Sequence, residues 1–296
     1  MTWNGIYPAV TTQIHTDGSL DAEGTAQHID ALIGAGVHGI VTTGSLGESS
    51  TLTADEKQTV LQVALEVSGG RVPVLMGVAE HTTADVCAQV KQGTANGADG
   101  FMVLPPMIYP TDRRETLHHF RTVARASEQP IMVYNNPVGY RVDVTPEMFE
   151  ELADETMLVA IKESSDNVRR LTDIVNRVGD RYDLFTGVDN LALESLVLGA
   201  VGWVAGLVGA FPKETVAIYD LVQAGRLEEA RTLYRWFMPL LHLDVSTKLV
   251  QNIKLVQQAV GYGTEHVREP RLPLVGAERA HVEAVIEAAL AARPAL

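Results

Sequence analysis

Two stretches decide how this chain folds: Ile131-Met132-Val133-Tyr134-Asn135-Asn136-Pro137 and Leu158-Val159-Ala160-Ile161-Lys162-Glu163-Ser164-Ser165. Each is a short, unbroken apolar run that ends in polar residues. Unbroken rather than alternating hydrophobicity suits a strand buried on both faces, as in a parallel sheet. Between them, Thr145-Pro146-Glu147 signals a helix start, because proline is favoured at the first helical position. Strand, helix and strand together make one parallel crossover unit.

Working outward, runs of the same kind occupy residues 5–12, 38–43, 72–78, 100–104, 182–187 and 202–206, which with 131–135 and 157–163 makes eight. The stretches between them have helical period: His28, Leu32 and Ile33 share one face, and so do Val60, Leu61, Ala64 and Leu65. Thr53-Ala54-Asp55-Glu56 carries a capping-box pattern, and Thr82/Thr83, Thr111-Asp112 and Ser165-Asp166 are expected to open further helices. Eight strands, each followed by a helical stretch, predict an α/β fold, a (β/α)8 TIM barrel, over residues 1–212. The rival doubly wound sheet lacks a GxGxxG after any strand. Residues 195–212 carry no charge and reach membrane-span length, but Gly199, Gly202, Gly206, Gly209 and Pro212 divide them into a helix end, a buried strand and a loop. Residues 213–296 are expected to be purely helical, over 213–223, 227–241, 246–260 and 277–292. They form a C-terminal helical extension packed on the barrel.

Charge excludes some functions. Acidic residues number 37 against 23 basic ones, so the net charge is −14 and no basic footprint for nucleic acid or an anionic membrane is expected. Cys87 is the single cysteine, which leaves no disulfide framework and no cysteine-based metal site. The histidines include no HExxH, and His118-His119 reads as part of a helix rather than a metal site. Met1-Thr2-Trp3-Asn4-Gly5 lacks the basic and apolar regions of a signal peptide, which points to a cytoplasmic protein.

In a barrel of this kind the working residues lie at the carboxyl ends of the strands. Of six lysines, only Lys162 follows a strand, Leu158-Val159-Ala160-Ile161, that should be buried. Desolvation disfavours an ammonium, and a neutral amine is a nucleophile that forms a Schiff base with a carbonyl. The bland alternative is a structural lysine paired with Glu163 or another acid. Tyr134 ends the preceding strand, where its phenol can pass protons beside a reacting imine; taken alone it is a packing tyrosine. The Gly44-Ser45-Leu46-Gly47-Glu48 turn offers backbone amides to a substrate carboxylate, and the Ser45 hydroxyl can join a relay to Tyr134. No carboxylate pair spaced for glycoside hydrolysis stands out, and no cluster of histidines and acids calls for a metal. The imine itself would be the electron sink, so no cofactor is required.

With Gly44-Ser45-Leu46-Gly47-Glu48, Tyr134-Asn135-Asn136-Pro137 and Ile161-Lys162-Glu163 at strand ends in this order and spacing, the sequence resembles the dihydrodipicolinate synthase/N-acetylneuraminate lyase superfamily of Schiff-base lyases. The resemblance covers nearly the whole chain. It implies a (β/α)8 barrel, a homotetramer, a small-molecule carboxylate substrate and no metal or cofactor beyond the covalent imine on Lys162. By motif position, Lys162 would form the imine, Tyr134 would transfer protons, and the amides of Ser45 and Leu46 would hold the carboxylate. Gly187 and Val204 would line the pocket. Two departures stand out. Met107 takes the place of a second relay tyrosine, with Tyr109 offset from it, and Gly139 takes the place of an arginine, with Arg141 two residues on. Both argue against the synthase reaction of lysine biosynthesis. The wording of Trp3-Asn4-Gly5-Ile6-Tyr7-Pro8-Ala9-Val10-Thr11-Thr12 and of the strand-end motifs looks most like the branch of 1-pyrroline-4-hydroxy-2-carboxylate deaminases of hydroxyproline catabolism.

That resemblance implies a deaminating dehydration. Lys162 attacks the ring imine, the ring opens by transimination, a proton leaves the neighbouring carbon and the hydroxyl beyond it departs. Hydrolysis then gives ammonia and 2-oxoglutarate semialdehyde. The alternatives are a synthase-like enzyme or a 2-keto-3-deoxy sugar acid aldolase or dehydratase, and, in another class, a small-molecule-binding barrel that has lost catalysis.

Overall fold

The computed structural model describes residues 3–106 and 108–296. Eight parallel strands run β1 Gly5–Pro8, β2 Ile40–Thr42, β3 Val74–Val78, β4 Gly100–Val103, β5 Ile131–Asn135, β6 Leu158–Glu163, β7 Asp183–Thr186 and β8 Gly202–Ala205. They pair in the order β1-β8-β7-β6-β5-β4-β3-β2. The Ala9–Val41 bridge brings the two ends together, so the sheet is a nearly closed (β/α)8 barrel. Every strand residue is buried except Val159 and Asp183, which are partly so, as unbroken apolar runs require.

Helix starts follow local chemistry. Thr53 and Glu56 form the expected capping box on Ala54–Ser68, and Asp112 with Glu115 forms another on Arg113–Ala126. That second helix carries His118 and His119. One expected start is corrected. Ser165-Asp166 does not open the helix after β6, which begins at Arg169 without a side-chain cap. The Ser165 amide is taken up by Glu163 Oε1 at 2.7 Å, and Asp166 sits in the left-handed region at φ 58°.

Residues 195–212 divide as expected into the end of helix Ala192–Val197, β8 and a short turn at Leu207–Gly209. Helix Pro212–Gln223 then packs on β1. Helices Leu227–Leu241, Leu249–Val260 and Gly276–Ala291 complete the tail. The third tail helix starts at Leu249 rather than 246, because the Ser246 hydroxyl accepts the Lys248 amide at 3.1 Å and Asn252 Nδ2 at 3.0 Å. A buried ion pair, Lys254 Nζ to Glu48 Oε1 at 2.5 Å, ties the tail to the turn after β2. Among the described residues no helix is long and apolar enough to cross a membrane.

Candidate active site

Strand register builds the centre of the site. Tyr134 on β5 stands directly opposite Lys162 on β6, so both side chains leave the sheet on the same rung and the same side. Lys162 Nζ lies 4.1 Å from the centre of the Tyr134 ring. The next residue alternates outward. Glu163 accepts from Asn135 Nδ2 at 3.0 Å and from the Ser165 amide, and it makes no ion pair with Lys162. The bland reading of Lys162 as Glu163's partner therefore fails on alternation alone. Burial pushes the Lys162 ammonium below its ordinary range, with Tyr140, Asp244 and Asp189 acting in the other direction.

Tyr140 is the residue that sequence reasoning did not choose. Asn136 caps the four-residue helix Pro137–Tyr140 by accepting the Gly139 amide at 2.8 Å, and this turn swings the Tyr140 ring inward. The Tyr134 and Tyr140 rings meet edge to face at 5.7 Å, and the Tyr140 hydroxyl hydrogen-bonds the Ser45 hydroxyl. Ser45 thus meets Tyr140 rather than Tyr134 directly, and Tyr140 stands between them. Burial raises both phenols above their ordinary range, so both are neutral O–H groups that can donate as well as accept.

The turn after β2 presents the amides of Ser45 and Leu46, which donate to no acceptor among the described residues, and both residues line the cavity. Gly187 and Val204 line the same cavity of about 470 Å³, together with Lys162, Tyr134 and Tyr140. A Cβ at Gly187 would collide with Lys162 Cε and Ser164 Oγ, so glycine there makes room for the lysine. Met107 lies outside the described residues. Tyr109 is exposed and its hydroxyl donates to Glu115 at 3.2 Å, away from the cavity. Arg141 is exposed in the left-handed region at φ 62° and is not part of the cavity wall.

Two acids were missed as well. Asp189, fully buried after β7, accepts Trp203 Nε1–H at 2.8 Å and the Gly206 and Leu207 amides at 3.1 and 2.8 Å. Asp244 comes from the tail and faces the cavity. Nothing in a strand-by-strand reading selects it, because it follows a helix rather than a strand. Among the described residues no group of three or more histidine, cysteine or acidic side chains is arranged to hold a metal.

A buried lysine of lowered basicity, stacked on a neutral tyrosine at the mouth of a (β/α)8 barrel, defines a class I Schiff-base lyase. In this class the lysine imine carries the chemistry. Residues 2–289 match the Dihydrodipicolinate synthetase family, and the chain belongs to it. It is 32% identical over 272 residues to a 4-hydroxy-tetrahydrodipicolinate synthase of Methanoculleus marisnigri, covering 90% of this chain and 93% of that one. It is also 32% identical over 273 residues to an uncharacterized DapA-like lyase of Rhizobium meliloti, covering 92% and 91%. Among solved structures, a prophage protein of E. coli K12 in complex with pyruvate superimposes with a TM-score of 0.91 at 28% identity, over 97% of this chain and 99% of that one.

Proposed function

We propose that the enzyme converts 1-pyrroline-4-hydroxy-2-carboxylate to 2-oxoglutarate semialdehyde and ammonia. The observation that carries this reading is the cationic content of the cavity wall. Lys162 and Arg271 are its only cations among the described residues, and Arg271 already faces Glu48 at 3.7 Å. A substrate with one carboxylate, held by the Ser45 and Leu46 amides, suits such a wall. The synthase reaction needs a second anchor, and Gly139 stands where the arginine for it would be.

In this scheme neutral Lys162 attacks the ring carbon next to the carboxylate, and transimination opens the ring. The protonated imine acidifies the next carbon. Tyr134, connected through Tyr140 to Ser45, takes that proton and later returns it. Subunits assemble as a homotetramer in our reading. The exposed apolar side chains Ile108, Tyr109 and Val138 support a buried contact between subunits.

A second reading, aldol cleavage or dehydration of a 2-keto-3-deoxy sugar acid, draws support from the pyruvate complex of the E. coli relative. Product analysis on both substrates separates them. Ammonia from the pyrroline supports the first, and pyruvate from the sugar acid supports the second. Lys162→Ala should abolish turnover and the borohydride-trapped adduct alike; full activity in that variant would sink both schemes.

A further inference from the structure

The relay described above moves a proton at the carbon beside the imine. It supplies none to the hydroxyl that must leave one carbon further on, and hydroxide is a poor leaving group unless protonated. Asp244 is placed for that second task. It follows helix Leu227–Leu241, with its amide donating to Leu241 O at 3.2 Å. Asn252 Nδ2 donates to Leu243 O at 2.9 Å and to Ser246 Oγ, which pins the loop on both sides of it. The carboxyl rests against Gly206 at the end of β8, where a Cβ would stand only 2.6 Å from Asp244 Oδ1.

Beside it, Asp189 holds three N–H donors on its two oxygens. Those donors favour the ionised form of Asp189. Asp244 is half-buried beside Gly206, and none of the side-chain hydrogen bonds among the described residues reaches its carboxyl, so of the two acids it is the one less held as a carboxylate. Burial and the Asp189 charge push Asp244 well above the carboxylate range, against the pull of Lys162. Tyr134 flanks Lys162 from β5, whereas Asp244 stands over β8 on the opposite flank, beyond β7. A base on one side of the imine and an acid on the other is the arrangement an elimination requires.

We propose that Asp244 is the general acid of the elimination, its carboxyl O–H protonating the substrate hydroxyl as it leaves. The proposal rests on the pyrroline reading and deepens it. In ring numbering, the enamine nitrogen pushes its electron pair to re-form the iminium. The C3–C4 double bond forms, the C4–O bond breaks, and the oxygen takes the Asp244 proton and departs as water. Asp244, now a carboxylate, recovers a proton from C5 as the double bond shifts toward the amine, while Tyr134 returns its own proton to C3. The product of that shift is the C4–C5 enamine, which takes a proton at C4 and gives one up from its nitrogen; the C5 imine so formed hydrolyses to the aldehyde and ammonia, and the Lys162 imine hydrolyses to the 2-oxo acid. Both groups end the cycle in their starting protonation states.

The test is Asp244→Asn in the full chain, assayed with 1-pyrroline-4-hydroxy-2-carboxylate and with its 4-fluoro analogue, since fluoride leaves without a proton. Ammonia release from the hydroxy substrate should fall by about 10²–10⁴-fold, the usual worth of a general acid. Fluoride release, deuterium exchange at C3 and the borohydride adduct of pyruvate on Lys162 should persist. Wild-type ammonia release in the variant would overturn the proposal. Equal loss of fluoride and ammonia would also overturn it, because Asp244 would then only hold the site's shape. If the wild type traps pyruvate yet releases no ammonia, the pyrroline reading fails and the acid role falls with it.

Discussion

Lys254→Met removes an ammonium from the interior of the fold and isolates a carboxylate in the turn that presents the Ser45 and Leu46 amides to the cavity. Both Lys254 and Glu48 are fully buried, and Nζ also donates to His266 O at 2.7 Å. After the substitution Glu48 keeps the Arg268 amide at 3.1 Å and the Arg271 guanidinium at 3.7 Å, and nothing replaces the ammonium. Removing one partner of a buried pair costs about 3–5 kcal/mol, because the other charge stays desolvated. The residual Arg271 contact places the expected loss near the lower end. A chain of this size loses roughly 2–4 °C of Tm per kcal/mol, so the midpoint should drop by about 6–12 °C. Urea unfolding followed by far-ultraviolet circular dichroism measures the loss directly. Adding Glu48→Gln to Lys254→Met should restore much of it, and the double-mutant cycle should return a coupling of about 2 kcal/mol or more. Steady-state kinetics should show KM rising more than kcat falls, since Glu48 closes the Ser45–Leu46 turn while Lys162 is untouched. A Lys254→Met midpoint within about 1 kcal/mol of the wild type would refute the reasoning, for it would mean the pair merely offsets its own desolvation.

Tyr140→Phe keeps the edge-to-face packing on Tyr134 and deletes the hydroxyl that meets Ser45. It should lower kcat by about 10²-fold with little change in KM and with the Lys162 adduct still trapped, and a wild-type kcat would remove Tyr140 from the relay. His28 and His119 give the fold an acid-side weakness. Burial lowers each from 6.5 to about 4, with Gly209 O and Leu104 O respectively resisting. The unfolded histidines take up protons first, so stability is full above pH 6.5 and is lost as pH falls from there through about 4. The displacement is worth about 3 kcal/mol for each histidine at the acid limit. Urea midpoints taken across that window should fall for the wild type and fall less for His28→Gln with His119→Gln; parallel slopes would count against the assignment.

The barrel was legible because each strand is an unbroken apolar run between polar punctuation, and every one of the eight appears where such a run was read. The ends were less legible where loops take over the backbone groups. The first run continues apolar to Val10, yet β1 stops at Pro8; beyond it the chain keeps only an Ala9 hydrogen bond to Ala205 O, an Ala9–Val41 bridge and a Val10 hydrogen bond to Val41 O. The helix after β6 starts late because Asp166 takes the left-handed region at φ 58°, where a right-handed helix cannot continue.

The candidate site divides along the same line. Lys162 and Tyr134 were legible because register and alternation are properties of strands, and two strand-end residues on adjacent strands meet by geometry. Tyr140 depends on a four-residue helix capped by Asn136, a local event with no periodic signal. Asp244 depends on how a distant tail helix lands on the barrel. Yet the strand ends do carry a trace of it. Glycine stands at position 187 after β7 and at 206 after β8, and in each case a Cβ would strike a neighbour's side chain, Lys162 at the first and Asp244 at the second. At these two strand ends glycine leaves the space that a cavity side chain occupies. The sequence displays the gap, and only the packed structure says which residue fills it. If that logic holds, Gly206→Ala should impair ammonia release as Asp244→Asn does while leaving the Lys162 adduct intact, whereas Gly187→Ala should abolish the adduct itself.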